Sequence, residues 1–101
     1  MAAFINHTAG GYLFYKTPEY HRISRFRGNG VPMDRPGFYV YIRDNEKKDY
    51  HSISWQPVAK DLSKAKYRCR HGLSYTVYES EYDGLASSQT MVIPCGENVL
   101  L

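Results

Sequence analysis

Cysteine is scarce in this chain of 101 residues, where Cys69 and Cys95 are the two present. No charged leader, apolar stretch and small-residue cleavage site accompany them, as a secreted, disulfide-stapled protein would require. The expectation is two reduced thiols in a cytoplasmic protein. Long hydrophobic runs are also missing, and none approaches the roughly 20 apolar residues of a membrane-crossing helix. A soluble protein with no membrane contact is expected. Charge of one sign is not in excess: 13 Lys and Arg stand against 10 Asp and Glu, a formal net charge of +3. Basic residues crowd together in His21-Arg22-Ile23-Ser24-Arg25-Phe26-Arg27, where solvated strand edges account for the arginines, so no nucleic-acid partner is expected.

The sequence patterns that carry chemistry are missing too. His7, His21, His51 and His71, taken with the two cysteines, lack the paired CxxC or HxxxH spacings of a zinc site, and no metal ligand is assigned. Neither cysteine stands in a nucleophile elbow or a thiol-protease signature. Asp34, Asp44, Glu46, Asp49 and Asp61 lie in turn-like contexts, where solvated or backbone-capping roles are expected rather than paired acid–base hydrolysis. Gly28 and Gly30 precede no lysine-serine or lysine-threonine pair and no helix, so they read as a turn and not a phosphate loop. No catalytic residue and no cofactor follow from the residues.

What is present is tyrosine. Ten of them, within 15% aromatic and 43% hydrophobic residues, favour strands and surfaces where a ring covers area while its hydroxyl stays hydrogen-bonded. Tyr12-Leu13-Phe14-Tyr15 follows Gly10-Gly11 and alternates, with Tyr12 and Phe14 on one face and Leu13 and Tyr15 on the other. His21 to Phe26 is a second strand candidate, and Phe38 to Ile42 is the strongest by its aromatic and β-branched content. Leu73 to Ser80 runs to a turn near Asp83-Gly84 and returns through Leu85 to Ile93 before Pro94. Val58, Leu62 and Ala65 have helical spacing, which allows a short helix or a loop within Val58 to Lys66. Trp55, inside Ser54-Trp55-Gln56-Pro57, reads as a core or interface aromatic rather than a sugar platform. The fold class is therefore all-β, an antiparallel β-sandwich. Length permits one domain, residues 1–101, whose strand runs continue almost to both ends and suggest part of a larger sandwich.

Read as a string, Ala9-Gly10-Gly11-Tyr12-Leu13-Phe14-Tyr15 resembles the AGGYSFY segment of the disaccharide phosphorylases of glycoside hydrolase family 94, the cellobiose and chitobiose phosphorylases. Pro18-Glu19-Tyr20, Arg25-Phe26-Arg27, Asp34-Arg35-Pro36-Gly37, and Tyr39-Val40-Tyr41 with Arg43-Asp44 follow in the same order and at similar spacing. So do Asp49-Tyr50, the stretch from Ser52 to Lys60, Arg70 to Tyr75, and Pro94-Cys95-Gly96-Glu97. The resemblance covers His7 to Glu97. His51, Gly28 and Val92 depart from it, standing where the family usually has tryptophan, tyrosine or proline, and phenylalanine.

The resemblance implies an N-terminal β-sandwich segment without the (α/α)6 catalytic barrel. The parent enzyme would be a homodimer that cleaves a β-linked disaccharide with inorganic phosphate, inverting the linkage to give an α-sugar 1-phosphate. General acid and phosphate clamp belong to the barrel, so the chain by itself is expected to be inactive. One residue receives a substrate-binding role by the same resemblance: Tyr15, which ends the GGYxFY segment and would reach across the dimer to the partner's sugar site. If Tyr12 and Phe14 pack inward, alternation points Tyr15 outward. The competing expectation is a free-standing carbohydrate-binding β module.

Overall fold

The structure, a computed structural model, describes residues 1–25 and 36–101. Among them every regular element is a strand: β1 (Ala2–Ile5), β2 (Gly11–Phe14), β3 (Tyr41–Asp44), β4 (Asp49–Ser52), β5 (Ala65–His71), β6 (Tyr75–Tyr82) and β7 (Leu85–Val92). They form two antiparallel ribbons, β1–β2 and β3–β4, and one antiparallel three-stranded sheet in the order β5-β6-β7. The all-β, antiparallel expectation holds.

The three-stranded sheet shows how alternation builds a face. Along β6, Thr76, Tyr78 and Ser80 are buried, while Val77 and Glu79 between them are partly exposed. In register, Tyr78 stands between Cys69 on β5 and Gln89 on β7, and Thr76 stands between His71 and Met91. Side chains two apart share a face, so Cys69, Tyr78 and Met91 all turn the same way, toward Ala9 and Ile53. Ile5, Phe38, Tyr39, Ile42 and Leu100 pack around that cluster. All three strand groups thus contribute to one core. The opposite face carries Lys66, Arg68, Arg70, Glu79 and Glu81, with Arg70 and Glu79 paired at 3.0 Å.

Two turns show why glycine stands where it does. Asp83 and Gly84 both have positive φ, 52° and 78°, the pair of conformations that a two-residue type I′ hairpin turn demands. At Gly11 the constraint is space: a Cβ there would lie 1.8 Å from the Phe4 carbonyl oxygen, inside the β1–β2 pairing of Ile5 with Gly11.

The structure shifts several elements from their predicted bounds. The strand expected over Phe38 to Ile42 begins at Tyr41, because Phe38 divides its backbone bonds between partners from different groups. Its N–H donates to the Ala9 carbonyl at 2.9 Å, and its carbonyl accepts from Gln89 Nε2 at 3.4 Å. Val40 still accepts from the Ile53 N–H at 3.1 Å. Of His21 to Phe26, Arg22 makes a single bridge to Phe14, and Phe26 lies outside the described residues, as do Gly28, Gly30 and Asp34. Leu73 and Ser74 form a bend before β6.

No helix forms across Val58 to Lys66. Ala59 takes φ 55°, Leu62 is exposed, and Asp61 closes a single turn, its carbonyl accepting from Lys64 and Ala65 and its carboxylate from the Ser63 N–H. Ala65 is buried because it opens β5, not because it completes a helical stripe.

Candidate functional site

Tyr15 follows the last residue of β2. Alternation along that strand gives two faces as the sequence does, and the inward one is not that of Tyr12 and Phe14: Leu13 is the buried residue, while Tyr12 and Phe14 are half-buried on the other face, where Phe4 stacks on Tyr12 and Tyr12 tilts against Phe14. Leu13 turns inward because it pairs with Ala3, on the same ribbon face as the core residue Ile5. Tyr15 is nonetheless exposed, at 38%, for a different reason. The strand ends at Phe14, and Lys16 takes a left-handed φ of 61° that turns the chain away.

The turn that follows fixes this tyrosine. The Tyr15 N–H donates to the His21 carbonyl at 2.8 Å, the Thr17 N–H donates to the Tyr15 carbonyl at 2.7 Å, and the His21 N–H donates to the Thr17 carbonyl at 3.1 Å. The His21 ring meets the Tyr15 ring edge-to-face, with centroids 6.4 Å apart. The Lys16 ammonium lies 5.3 Å from the Tyr15 ring centroid, within cation–π range. Tyr15 is a phenol on a pinned backbone, suited to stacking and one hydrogen bond, and the His21 and Lys16 side chains meet its ring. His21 and Lys16 are the neighbours that motif reading does not supply, since their contacts depend on the turn.

A second polar cluster joins the β3–β4 ribbon to the end of β6. Lys60 Nζ lies 2.6 Å from Asp49 Oδ1, and the Tyr82 hydroxyl donates to Asp49 Oδ2 at 2.5 Å. Those two bonds, with the Tyr50 N–H, hold the Asp49 carboxyl down at about 2. Its carboxylate in turn raises Lys60 and Tyr82. The Lys60 ammonium also lies 5.1 Å from the Tyr82 ring centroid. His51, 4% exposed, leans on Tyr82 with centroids 5.1 Å apart, and its Nε2 has no hydrogen-bond partner among the described residues. Burial, and secondarily Lys60, lower its proton affinity. Alongside, Lys47 pairs with Asp83 between the β3–β4 and β6–β7 turns. Of the turn carboxylates, Asp44 accepts from the Glu46 and Lys47 N–H groups as a cap, whereas Asp49 works as the anchor of this cluster.

Cys69 and His71 share a face of β5, with Sγ 3.4 Å from Nε2, and His71 Nδ1 lies 2.9 Å from Thr76 Oγ1. Burial raises the Cys69 thiol, which disfavours the thiolate that a nucleophile or metal ligand needs. Among the described residues no three histidine, cysteine or acidic side chains gather as a metal set.

The architecture is a layered antiparallel β assembly of the sandwich class, with a pinned, solvent-facing tyrosine at one corner. The family model for the glycosyl hydrolase 94 supersandwich domain matches residues 1–101, and the chain belongs to that family. It is 53% identical over 94 residues to an N,N'-diacetylchitobiose phosphorylase of Vibrio proteolyticus and 51% identical over 94 residues to another of Vibrio furnissii, in each case across 93% of this chain. A solabiose phosphorylase of Paenibacillus borealis is 34% identical over 97 residues, 88% of this chain. The chain spans 12% of the length of each relative.

Proposed function

We propose that this chain is the non-catalytic supersandwich segment of an inverting β-disaccharide phosphorylase. That enzyme would be cytoplasmic and homodimeric, and would convert a chitobiose-type disaccharide and phosphate into an α-sugar 1-phosphate and a free sugar. The observation that carries the reading is the 53% identity across 93% of the chain to a protein named N,N'-diacetylchitobiose phosphorylase. In this reading the segment supports the dimer, and Tyr15 lines the partner's sugar site. The exposed phenol, its backbone pinned through His21, suits such a contact and carries no chemistry of its own. Two free cysteines fit a reducing compartment.

The test is a paired assay with N,N'-diacetylchitobiose and inorganic phosphate. The complete gene product should release N-acetylglucosamine 1-phosphate and sediment as a dimer, while the 101-residue chain makes none. Turnover by the chain alone would overturn the non-catalytic assignment.

A further inference from the structure

Leu101 begins a new pairing on the outer edge of β7. Its N–H donates to the Val92 carbonyl at 2.9 Å, and its carbonyl accepts from the Val92 N–H at 3.0 Å, the mutual exchange of an antiparallel hydrogen-bonded pair. Side chains alternate here as well, since Leu100 packs on the core while Leu101 is 67% exposed.

The direction of the Val92 groups fixes the rest of the strand. Backbone groups of successive residues point to opposite sides, so the N–H and C=O of Ala86, Ser88 and Thr90 also face away from β6. The hairpin gives the same answer. A two-residue loop at Asp83-Gly84 makes Tyr82 and Leu85 the closing bonded pair, which commits Leu85, Ser87, Gln89 and Met91 to β6. Among the described residues β7 pairs with β6 and, at Val92, with Leu101. The outward groups of Ala86, Ser88 and Thr90 have no strand partner there.

The two edges of this sheet differ in kind. β5 carries Lys66, Arg68 and Arg70 within seven residues, and charged side chains on an edge strand oppose further pairing. β7 runs for eight residues with no charge and no proline. An edge of that length without either device is a template for strand addition. A second copy of the chain fits it poorly, because a symmetric antiparallel pairing centred on Ser88 brings the copy's Gly84 to the place beside Val92 that Leu101 holds. Residues continuing from Leu101 meet no such obstacle.

We propose that the β7 edge seats a fourth strand of this sheet, laid antiparallel by the residues that follow Leu101 in the complete phosphorylase. The proposal rests on the reading of this chain as a segment, which spans 12% of each relative's length. In the register begun at Val92, the second residue beyond Leu101 stands opposite Thr90, the fourth opposite Ser88 and the sixth opposite Ala86, each exchanging two backbone bonds. The first, third and fifth share the face of Leu100 and extend the core cluster.

Amide hydrogen exchange tests this, read at single residues of the complete gene product by mass spectrometry with electron-transfer fragmentation. Ser88 and Thr90 should exchange as slowly as Ser87 and Gln89, which β6 protects. In the 101-residue chain they should exchange faster than those two by roughly a hundredfold. Leu101→Pro in the complete gene product removes the N–H that begins the pairing. It should release Val92 and Thr90 together and leave Ser87 and Gln89 protected. Fast exchange of Ser88 and Thr90 in the complete gene product would overturn the proposal. Release of Val92 alone by Leu101→Pro would assign the edge to another segment, and protection in the 101-residue chain that rises with its concentration would assign it to a second copy. Either result overturns the proposal as well. Turnover of N,N'-diacetylchitobiose by the same gene product reports separately on the phosphorylase reading, so failure of one is distinguished from failure of the other.

Discussion

The Tyr78 hydroxyl donates to the carbonyl oxygen of Asn6 at 2.5 Å, across 72 positions of sequence. Tyr78 is 1% exposed at the centre of the three-stranded sheet, and Asn6 opens the turn between β1 and β2. Asn6 also organises that turn from within, its Oδ1 accepting from the N–H groups of Thr8 and Gly10. One phenol therefore fills the core with its ring and holds the first ribbon with its hydroxyl.

Tyr78→Phe keeps the ring and deletes the bond, leaving the Asn6 carbonyl without this donor. A loss of about 1–2 kcal/mol is expected from a removed hydrogen bond at a largely buried site, and about 3–5 kcal/mol for Tyr78→Ala, which adds a cavity. Urea unfolding of both variants measures this. Equal stability of Tyr78→Phe and the native chain would show that the bond does not hold the ribbon.

Acid should destabilise the fold in two steps. His51 has a folded proton affinity below its ordinary 6.5. Its contribution is complete above that value and declines as pH falls below it, because the unfolded chain takes up the proton first. Asp49, lowered from 3.8 to about 2 by Lys60 and Tyr82, contributes fully above 3.8, and its share is lost as pH falls toward 2. His51→Phe should abolish the first step and Lys60→Met should shrink the second. Stability that rises on acidification from neutral pH would refute both assignments.

The two thiols should react at different rates. Cys69 is partly buried with a raised proton affinity, whereas Cys95 is exposed. Thiol-disulfide exchange with a chromogenic aromatic disulfide at neutral pH is expected to show two phases, with Cys95→Ser removing the fast one. A single phase for the native chain would contradict this placement.

Strand chemistry was legible where residues were long, branched or aromatic and a turn signal stood beside them. The β6–β7 hairpin is the clear case, with Asp83-Gly84 at its tip. The β5 strand also had a readable pattern, since Lys66, Arg68 and Arg70 alternate with Ala65, Tyr67 and Cys69. Helical spacing of Val58, Leu62 and Ala65 overlapped its start and competed with it. Short strands such as β1 and β4 depend on their partners. His51 and Ser52 are buried by tertiary contact, and nothing local marks them. At the candidate site, Tyr15 came from its motif, and its exposure comes from the end of β2 and the turn at Lys16 rather than from alternation. The inward face of β2 did not follow, because alternation names two faces and only the neighbouring ribbon chooses between them.

The proposed contact of Tyr15 with the partner's sugar is tested most directly by steady-state kinetics of Tyr15→Ala in the proposed full-length phosphorylase. Stacking made equally in the ground and transition states affects KM and spares kcat, so the variant should show KM for the disaccharide raised by roughly tenfold and kcat nearly unchanged. An unchanged KM would remove Tyr15 from the sugar site, and a collapse of kcat at constant KM would place it in the chemistry instead.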